Sequence, residues 1–311
     1  MELSGLVPVP TAVRVAELRM SYGATEALRG IDFDVRRGEI VACVGPNGAG
    51  KTTMLEILEG FRRRTAGDVE VLGVDPEHAD ARWRDRIGVV LQESAPEPEL
   101  TVTECVALYA GYYGRPRPVP DTLALVGLEQ RAGVRCARLS GGERRRLDVA
   151  LALIGDPELV FLDEPTTGFD PVARRAAWDM IDGLRDLGKT VLITTHYMEE
   201  AERLADRVAV IASGRIVATG TPESLGGRDE EAATIRFVLP GGVTAAELPG
   251  EVAVAVRAAY GPRVEARSSD PLAVLGALAQ WAADRRIDVR DLAVTRPTLE
   301  DTYLRLTEQV A

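Results

Sequence analysis

The sequence predicts an α/β fold built on a parallel sheet, and three observations predict it. Ile40-Val41-Ala42-Cys43-Val44, Leu159-Val160-Phe161-Leu162 and Thr190-Val191-Leu192-Ile193-Thr194-Thr195 are continuous apolar or β-branched runs, as expected of strands buried on both faces. Turn residues and then helix-like patterns follow them. Each run also ends in reactive side chains: a glycine-rich loop with a lysine, a pair of carboxylates, and a histidine. Carboxyl ends of parallel strands are where such sheets gather their ligands.

Taken in order, residues 1–12 read as a lead-in containing Pro8 and Pro10. Val13–Met20 and Ile31–Val35 alternate with period two, which predicts an N-terminal antiparallel β subdomain with Tyr22 in the turn between them. Gly45-Pro46-Asn47-Gly48-Ala49-Gly50-Lys51-Thr52 then fits the phosphate-loop pattern G-x-x-x-x-G-K-[ST], with Thr53-Met54-Leu55-Glu56-Ile57-Leu58 opening a helix. Small residues let successive amides curl round an anion, and the helix N-terminus adds partial positive charge. A turn with an accidental lysine is a poor alternative, because Lys51 and Lys189 are the only lysines among 37 basic residues. Lys51 is placed to reach the β- and γ-phosphates, and the Thr52 hydroxyl to ligate Mg²⁺.

Strand-like stretches follow at 68–72 and 87–91, the second ending on Gln92. Residues 93–158 read as an inserted helical subdomain, punctuated by Pro96, Pro98, Pro116, Pro118 and Pro120. Within it Leu139-Ser140-Gly141-Gly142-Glu143 opens a long helix, whose Arg144-Arg145-Arg146 run reads as a solvated face. Ser-Gly-Gly before a helix offers donors to an anion, though ordinary caps look the same. Asp163 and Glu164 end the second core strand, where Asp163 suits a Mg²⁺ shell and Glu164 a base for an attacking water. Gly168-Phe169-Asp170 turns into a helix starting near Pro171, and His196, ending the third strand, is placed for a γ-phosphate contact.

Beyond it, Tyr197–Arg207 reads as an amphipathic helix and 208–219 as a hairpin turning at Ser213-Gly214. Residues 226–231 read as a linker and 232–311 as a small α+β accessory domain. That domain is expected to hold strands at 234–238, 252–257 and 290–294. Helices are expected over Pro271–Arg285, capped by Asp270, and from Thr298-Leu299-Glu300-Asp301 onward, a capping-box spacing.

Composition bounds the function. Charged residues make up 27% and hydrophobic ones 46%, the profile of a soluble globular protein. A net charge of -11 argues against a nucleic-acid partner. Cys43, Cys105 and Cys136 lack metal-ligand spacing and fit a reducing compartment. No signal-peptide pattern opens the chain, and no apolar run approaches the ~18 residues of a membrane span, so a cytosolic protein is expected whose membrane role needs a partner.

Together these residues resemble the nucleotide-binding subunit of an ATP-binding-cassette (ABC) transporter, over roughly residues 13–225, on a P-loop NTPase core. Gly45–Thr52 matches Walker A, Gln92 the Q-loop, Leu139–Glu143 the LSGGQ/E signature, and Leu159–Asp163 Walker B with Glu164 as its glutamate. Gly168–Asp170 matches the D-loop, His196 the switch histidine and Tyr22 the adenine-stacking position; Glu143 and Phe169 depart mildly from the family pattern.

The resemblance implies ATP and Mg²⁺. Nucleotide would be held by Tyr22, Gly45, Pro46, Asn47, Gly48, Ala49, Gly50, Lys51, Thr52 and Thr53, and by Ser140, Gly141 and Gly142 of a second subunit. Thr52, Gln92 and Asp163 would hold the metal, with catalysis by Glu164, His196 and Gln92. It further implies a head-to-tail homodimer that closes on ATP and a separately encoded integral-membrane permease, placing the subunit on the inner face of the cell membrane. The tail Pro297–Thr307 and the stretch Thr194–Ala201 resemble daunorubicin- and antibiotic-type drug-export ATPases, although lipid and polysaccharide exporters share much of that ending. A non-transport ABC ATPase acting on ribosomes or DNA is the alternative. Against it stand the single cassette, the absence of sustained heptads between Walker A and the signature, and the acidic balance.

Overall fold

The computed structural model describes residues 10–90, 96–228 and 232–308. The chain forms two compact units, one built on residues up to Pro222 and the other on Glu223–Leu306.

In the first unit, β1 (Thr11–Tyr22), β2 (Thr25–Arg36) and β3 (Ile40–Val44) lead into α1 (Lys51–Leu58). Then come β4 (Ala66–Val71), the short α2 (Ala81–Arg84) and β5 (Ile87–Val90). Helices α3 (Val102–Ala110), α4 (Val119–Leu125) and α5 (Gly141–Leu153) follow. The unit continues with β6 (Leu159–Asp163), α6 (Pro171–Asp186), β7 (Thr190–Thr195), α7 (Met198–Leu204) and the hairpin β8 (Arg207–Ala212)–β9 (Arg215–Gly220). The expected amphipathic helix is shorter than its pattern, because Asp206 leaves it to accept the Ile40 amide at 2.8 Å.

Its six-stranded sheet has the order β5-β6-β7-β3-β8-β9, parallel except for the antiparallel edge strand β9. Every residue of β3, β6 and β7 is buried, which is what their unbroken apolar runs require. Alternation divides the core in two. Val41, Cys43, Phe161 and Leu192 face a layer made by α1 and the antiparallel sheet β2-β1-β4. Ile40, Val160, Leu162, Val191 and Ile193 face the helices, led by α3, α5 and α6.

The second unit is an antiparallel sheet, β11-β12-β10-β13, made of β10 (Ala233–Val238), β11 (Val256–Tyr260), β12 (Arg263–Ser268) and β13 (Arg290–Thr295). Its helices are α8 (Gly250–Ala255), α9 (Pro271–Arg285) and α10 (Leu299–Glu308), and α8 and α9 pack on one sheet face. Asp270 caps α9 through the Ala273 amide at 3.1 Å, and Thr298 and Asp301 form the reciprocal box that starts α10. The stretch 252–257, expected as a strand, is mostly α8. Pro249 opens a helical turn there, and Val252 and Ala255 are buried three residues apart while Val254 is 79% exposed. Strand β12 has no counterpart in the sequence reading.

Candidate functional site

The phosphate loop follows β3 directly. Gly45 cannot carry a side chain, since a Cβ there would lie 2.3 Å from the Ile211 carbonyl oxygen on β8. Gly50 takes the N-cap position of α1 at φ 106°, a conformation disfavoured for L side chains, and no side chain caps that helix. The start of α1 therefore differs from those of α5 and α6, which Ser140 and Asp170 cap. Pro46, Asn47 and Gly48 are exposed while Ala49 is buried, so the loop presents its rim to solvent. First-turn amides without a side-chain cap are a ready anion site.

Lys51 is 5% exposed, and its Nζ donates to the carbonyls of Gly45 at 2.8 Å and Pro46 at 3.2 Å. Burial pushes its pKa down, and the carboxylates of Glu164 and Asp163 pull it back up. Glu164 Oε1 lies 3.9 Å from the ammonium.

Sheet order assembles the rest. Because β7 lies between β3 and β6, its carboxyl end separates the phosphate loop from the two carboxylates. Thr194, on β7, fills that place: its hydroxyl donates to Asp163 Oδ1 and accepts the Glu164 amide at 3.1 Å. The same amide reaches the Thr194 carbonyl at 3.1 Å. These bonds hold Glu164 at φ 45°, a left-handed conformation costing about 1–2 kcal/mol outside glycine. Across the gap, Thr52 Oγ1 donates to Asp163 Oδ2 at 3.3 Å. On the far side Glu164 Oε2 accepts from Thr167 at 3.1 Å and lies 3.4 Å from His196 Nδ1.

Lys51, Thr52, Asp163, Glu164 and His196 thus share one site. Tyr22 is at its margin, its hydroxyl 3.3 Å from Thr53 Oγ1 and the Arg62 guanidinium 5.1 Å from its ring centroid. Gln92 lies outside the described residues. Thr194 was missed by the sequence reading, since only the strand order gives it a role.

A hydroxyl and a carboxylate oxygen 3.3 Å apart are hard donors of the kind Mg²⁺ takes when phosphates complete its shell. Among the described residues there is no group of three or more His, Cys, Asp or Glu that could hold a metal by itself. The donors present fit a phosphate-borne cation better than a dedicated cage.

Ser140, Gly141 and Gly142 line a different cleft, of about 1060 Å³, which also includes Glu164, Phe169 and Asp170. Ser140 and Glu143 form a capping box: the Ser140 amide donates to Glu143 Oε2 at 2.9 Å and the Glu143 amide to Ser140 Oγ at 3.3 Å. Those bonds, first the Ser140 amide and then Arg131 at 2.6 Å, hold the Glu143 carboxyl below the usual range. The glutamate that replaces the commoner glutamine is therefore occupied in local structure. The Arg144–Arg146 run is not a solvated face as expected. Arg144 is exposed, but Arg145 is 9% exposed and donates to the carbonyls of Asp163 at 2.9 Å and Pro165 at 3.1 Å.

Comparison with known proteins gives this geometry its family. The model of the ABC transporter family matches residues 28–167, and that of the ABC transporter domain-containing protein-like C-terminal domain matches 233–298. The chain is 40% identical over 308 residues to the Nod factor export ATP-binding protein I of Paraburkholderia xenovorans, covering 95% of this chain and 97% of that one. The chain belongs to the ABC transporter ATP-binding family. The protein of the same name from Rhizobium meliloti is 40% identical over 303 residues, covering 95% of this ABC subunit and 88% of the relative. Among solved structures, the ATP-binding subunit of an ABC transporter superposes with a TM-score of 0.62 at 29% identity, covering 69% of this chain and 91% of that one. A dimeric post-hydrolysis state of an ATP-binding cassette with ADP and Pi gives 0.61 at 26% identity, covering 67% and 98%. The protein is accordingly an ATP-binding subunit of an ABC transporter and an ATPase. Among its described residues no helix is long and apolar enough to cross a membrane.

Proposed function

We propose that this ABC subunit drives export: ATP closes a head-to-tail homodimer, hydrolysis reopens it, and a separately encoded membrane permease moves the cargo. The observation that carries the reading is the meeting of Lys51, Thr52, Asp163, Glu164 and His196 at the carboxyl ends of β3, β6 and β7. Lys51 and the loop amides hold the phosphates, Tyr22 faces the adenine, and Glu164 orients the attacking water with His196 beside it. Mg²⁺, held by Thr52 and Asp163 with Gln92, supplies charge neutralisation at the phosphates. Ser140, Gly141 and Gly142 serve the partner's nucleotide. Residues 13–225 form the nucleotide-binding domain and 232–311 the accessory domain, and the subunit sits on the inner face of the membrane through its permease.

Export is supported by the names of the full-length relatives, which are Nod factor export proteins. We assign a drug- or antibiotic-like hydrophobic cargo on the tail resemblance. The relatives' names favour a second reading, a cargo of the Nod factor kind. The test is co-purification with the permease of the neighbouring reading frame, reconstitution, and ATPase assays across both compound classes. A rate stimulated by one class, and abolished by Glu164→Gln, supports export of that class; no permease partner and no stimulation overturns it.

A further inference from the structure

The turn that follows Glu164 is held by a buried acid on α7, the helix just after His196. Glu200 is 1% exposed, and its Oε1 accepts the Thr166 hydroxyl at 2.7 Å and the Trp178 indole N–H at 3.0 Å. Thr166 is fully buried as well, and its carbonyl accepts the Phe169 amide at 3.2 Å. Trp178 belongs to α6, so one oxygen joins α6, α7 and the loop between β6 and α6.

Burying a carboxylate is costly unless its charge is met. Arg145 meets it, since the charges of Asp148, Asp163 and Glu200 all act on that guanidinium. Glu200 Oε2 has no hydrogen-bond partner among the described residues, so only one of the two oxygens is put to use. A neutral amide oxygen could satisfy Thr166 and Trp178 at less cost. What the carboxylate adds is stiffness, because a hydrogen bond to an ionised oxygen is shorter and roughly twice as strong as one between neutral groups.

The place of this bond gives the stiffness a use. Thr194, on β7, accepts the Glu164 amide, and Glu200 takes hold of Thr166 beyond it. Residues 194–200 therefore grip residues 163–166 at both ends. Between the two attachments His196 Nδ1 faces Glu164 Oε2 at 3.4 Å. With the Thr194 attachment alone, the turn that carries Glu164 is free to pivot about it; the second attachment removes that freedom. We propose that Glu200 is a positioning residue of the ATPase, which through Thr166 locks the Glu164 turn against the segment carrying His196. The inference rests on the roles of Glu164 and His196 given above.

The test is kcat and KM for ATP on the full chain, with the melting temperature measured for each variant. Thr166→Val keeps the shape of the side chain and deletes its hydroxyl, while Glu200→Met keeps the bulk and deletes the acceptor. Both should lower kcat by at least about tenfold and leave KM within about twofold, because a small misplacement of a reacting group is felt in the chemical step. Thr166→Ser and Glu200→Gln, which can remake the bond, should return kcat to within about threefold of the parent. Trp178→Phe removes the other donor to the same oxygen but not the link to Glu164. It should keep kcat within about twofold even where it lowers the melting temperature. A parental kcat in Thr166→Val, or an equal loss in Trp178→Phe, would overturn the proposal while leaving the site reading intact. Parental rates in Glu164→Gln and His196→Ala would instead overturn that reading, and this inference with it.

Discussion

The guanidinium of Arg145 donates to the main-chain oxygen of Asp163, so the helix that opens at the signature loop is tied to the strand that ends in the two carboxylates. A second bond from Arg145 holds the Pro165 carbonyl in the following turn. The signature helix and the turn that carries Glu164 are therefore joined through a buried side chain. Arg145→Leu leaves both carbonyls without their donor. It should cost about 3 kcal/mol in urea unfolding, since each buried unsatisfied group costs about 1–3 kcal/mol. The ATPase rate should fall with it, whereas a change at exposed Arg144 should leave stability within about 0.5 kcal/mol.

Glu164→Gln keeps the side chain's size and its bond from Thr167, and removes the charge that orients water. ATP binding should persist while phosphate release stops, and size-exclusion chromatography with ATP should show an accumulated dimer. Normal release from this variant would remove Glu164 from the chemistry.

Lys51→Ala removes the buried ammonium of the phosphate loop. The loss in transition-state stabilisation should be on the order of 3 kcal/mol, by analogy with other preorganised donors. The check is kcat/KM for ATP. The fold should persist, because the variant deletes a desolvated charge rather than a packing group.

Thr194→Val keeps the shape of β7 and deletes the hydroxyl shared by Asp163 and Glu164. The effect should fall on kcat, by about 10- to 100-fold, the usual cost of removing a group that orients metal or catalytic ligands. Thr194→Ser should restore most of it. Equal activity of the Val and Ser variants would show that the hydroxyl does not orient the site.

Glu59, at the end of α1, is 5% exposed, and burial, with Asp163 and Glu56 nearby, raises its pKa from 4.5 to about 8. A carboxyl that holds its proton in the folded state favours folding fully below pH 4.5. That contribution is lost as pH rises to about 8. At about 1.4 kcal/mol per pKa unit the change is a few kcal/mol. Glu59→Gln should flatten melting temperature against pH over this window and exceed the parent at pH 8.

Much of this was legible in the chain because the site's residues end unbroken apolar runs. The strands at 40–44, 159–163 and 190–195 could hardly be read otherwise, and each delivers its functional group at its last residue or the next. Thr194 escaped notice because its importance comes from β7 lying between β3 and β6, an order that no local pattern encodes. Arg145 escaped for a related reason: a basic triplet at a helix start resembles a wet surface until the strand end beside it offers carbonyls. The Val252–Val256 alternation misled because valine repeats favour a strand by propensity, whereas Pro249 and the burial of Val252 and Ala255 select a helical turn.

The β8–β9 turn has a practical consequence. Ser213-Gly214 is a tight surface turn of the sort usually chosen for an epitope tag or a new pair of chain ends. Here the Gly214 amide donates to the Ala49 carbonyl inside the phosphate loop at 3.1 Å, and its carbonyl accepts the Arg29 amide at 2.8 Å. The hairpin tip is a clasp on the nucleotide loop, so a label inserted there would report on a crippled ATPase. Gly241, where added side-chain atoms would meet nothing within 4 Å and the backbone is not left-handed, is the better place to attach a probe.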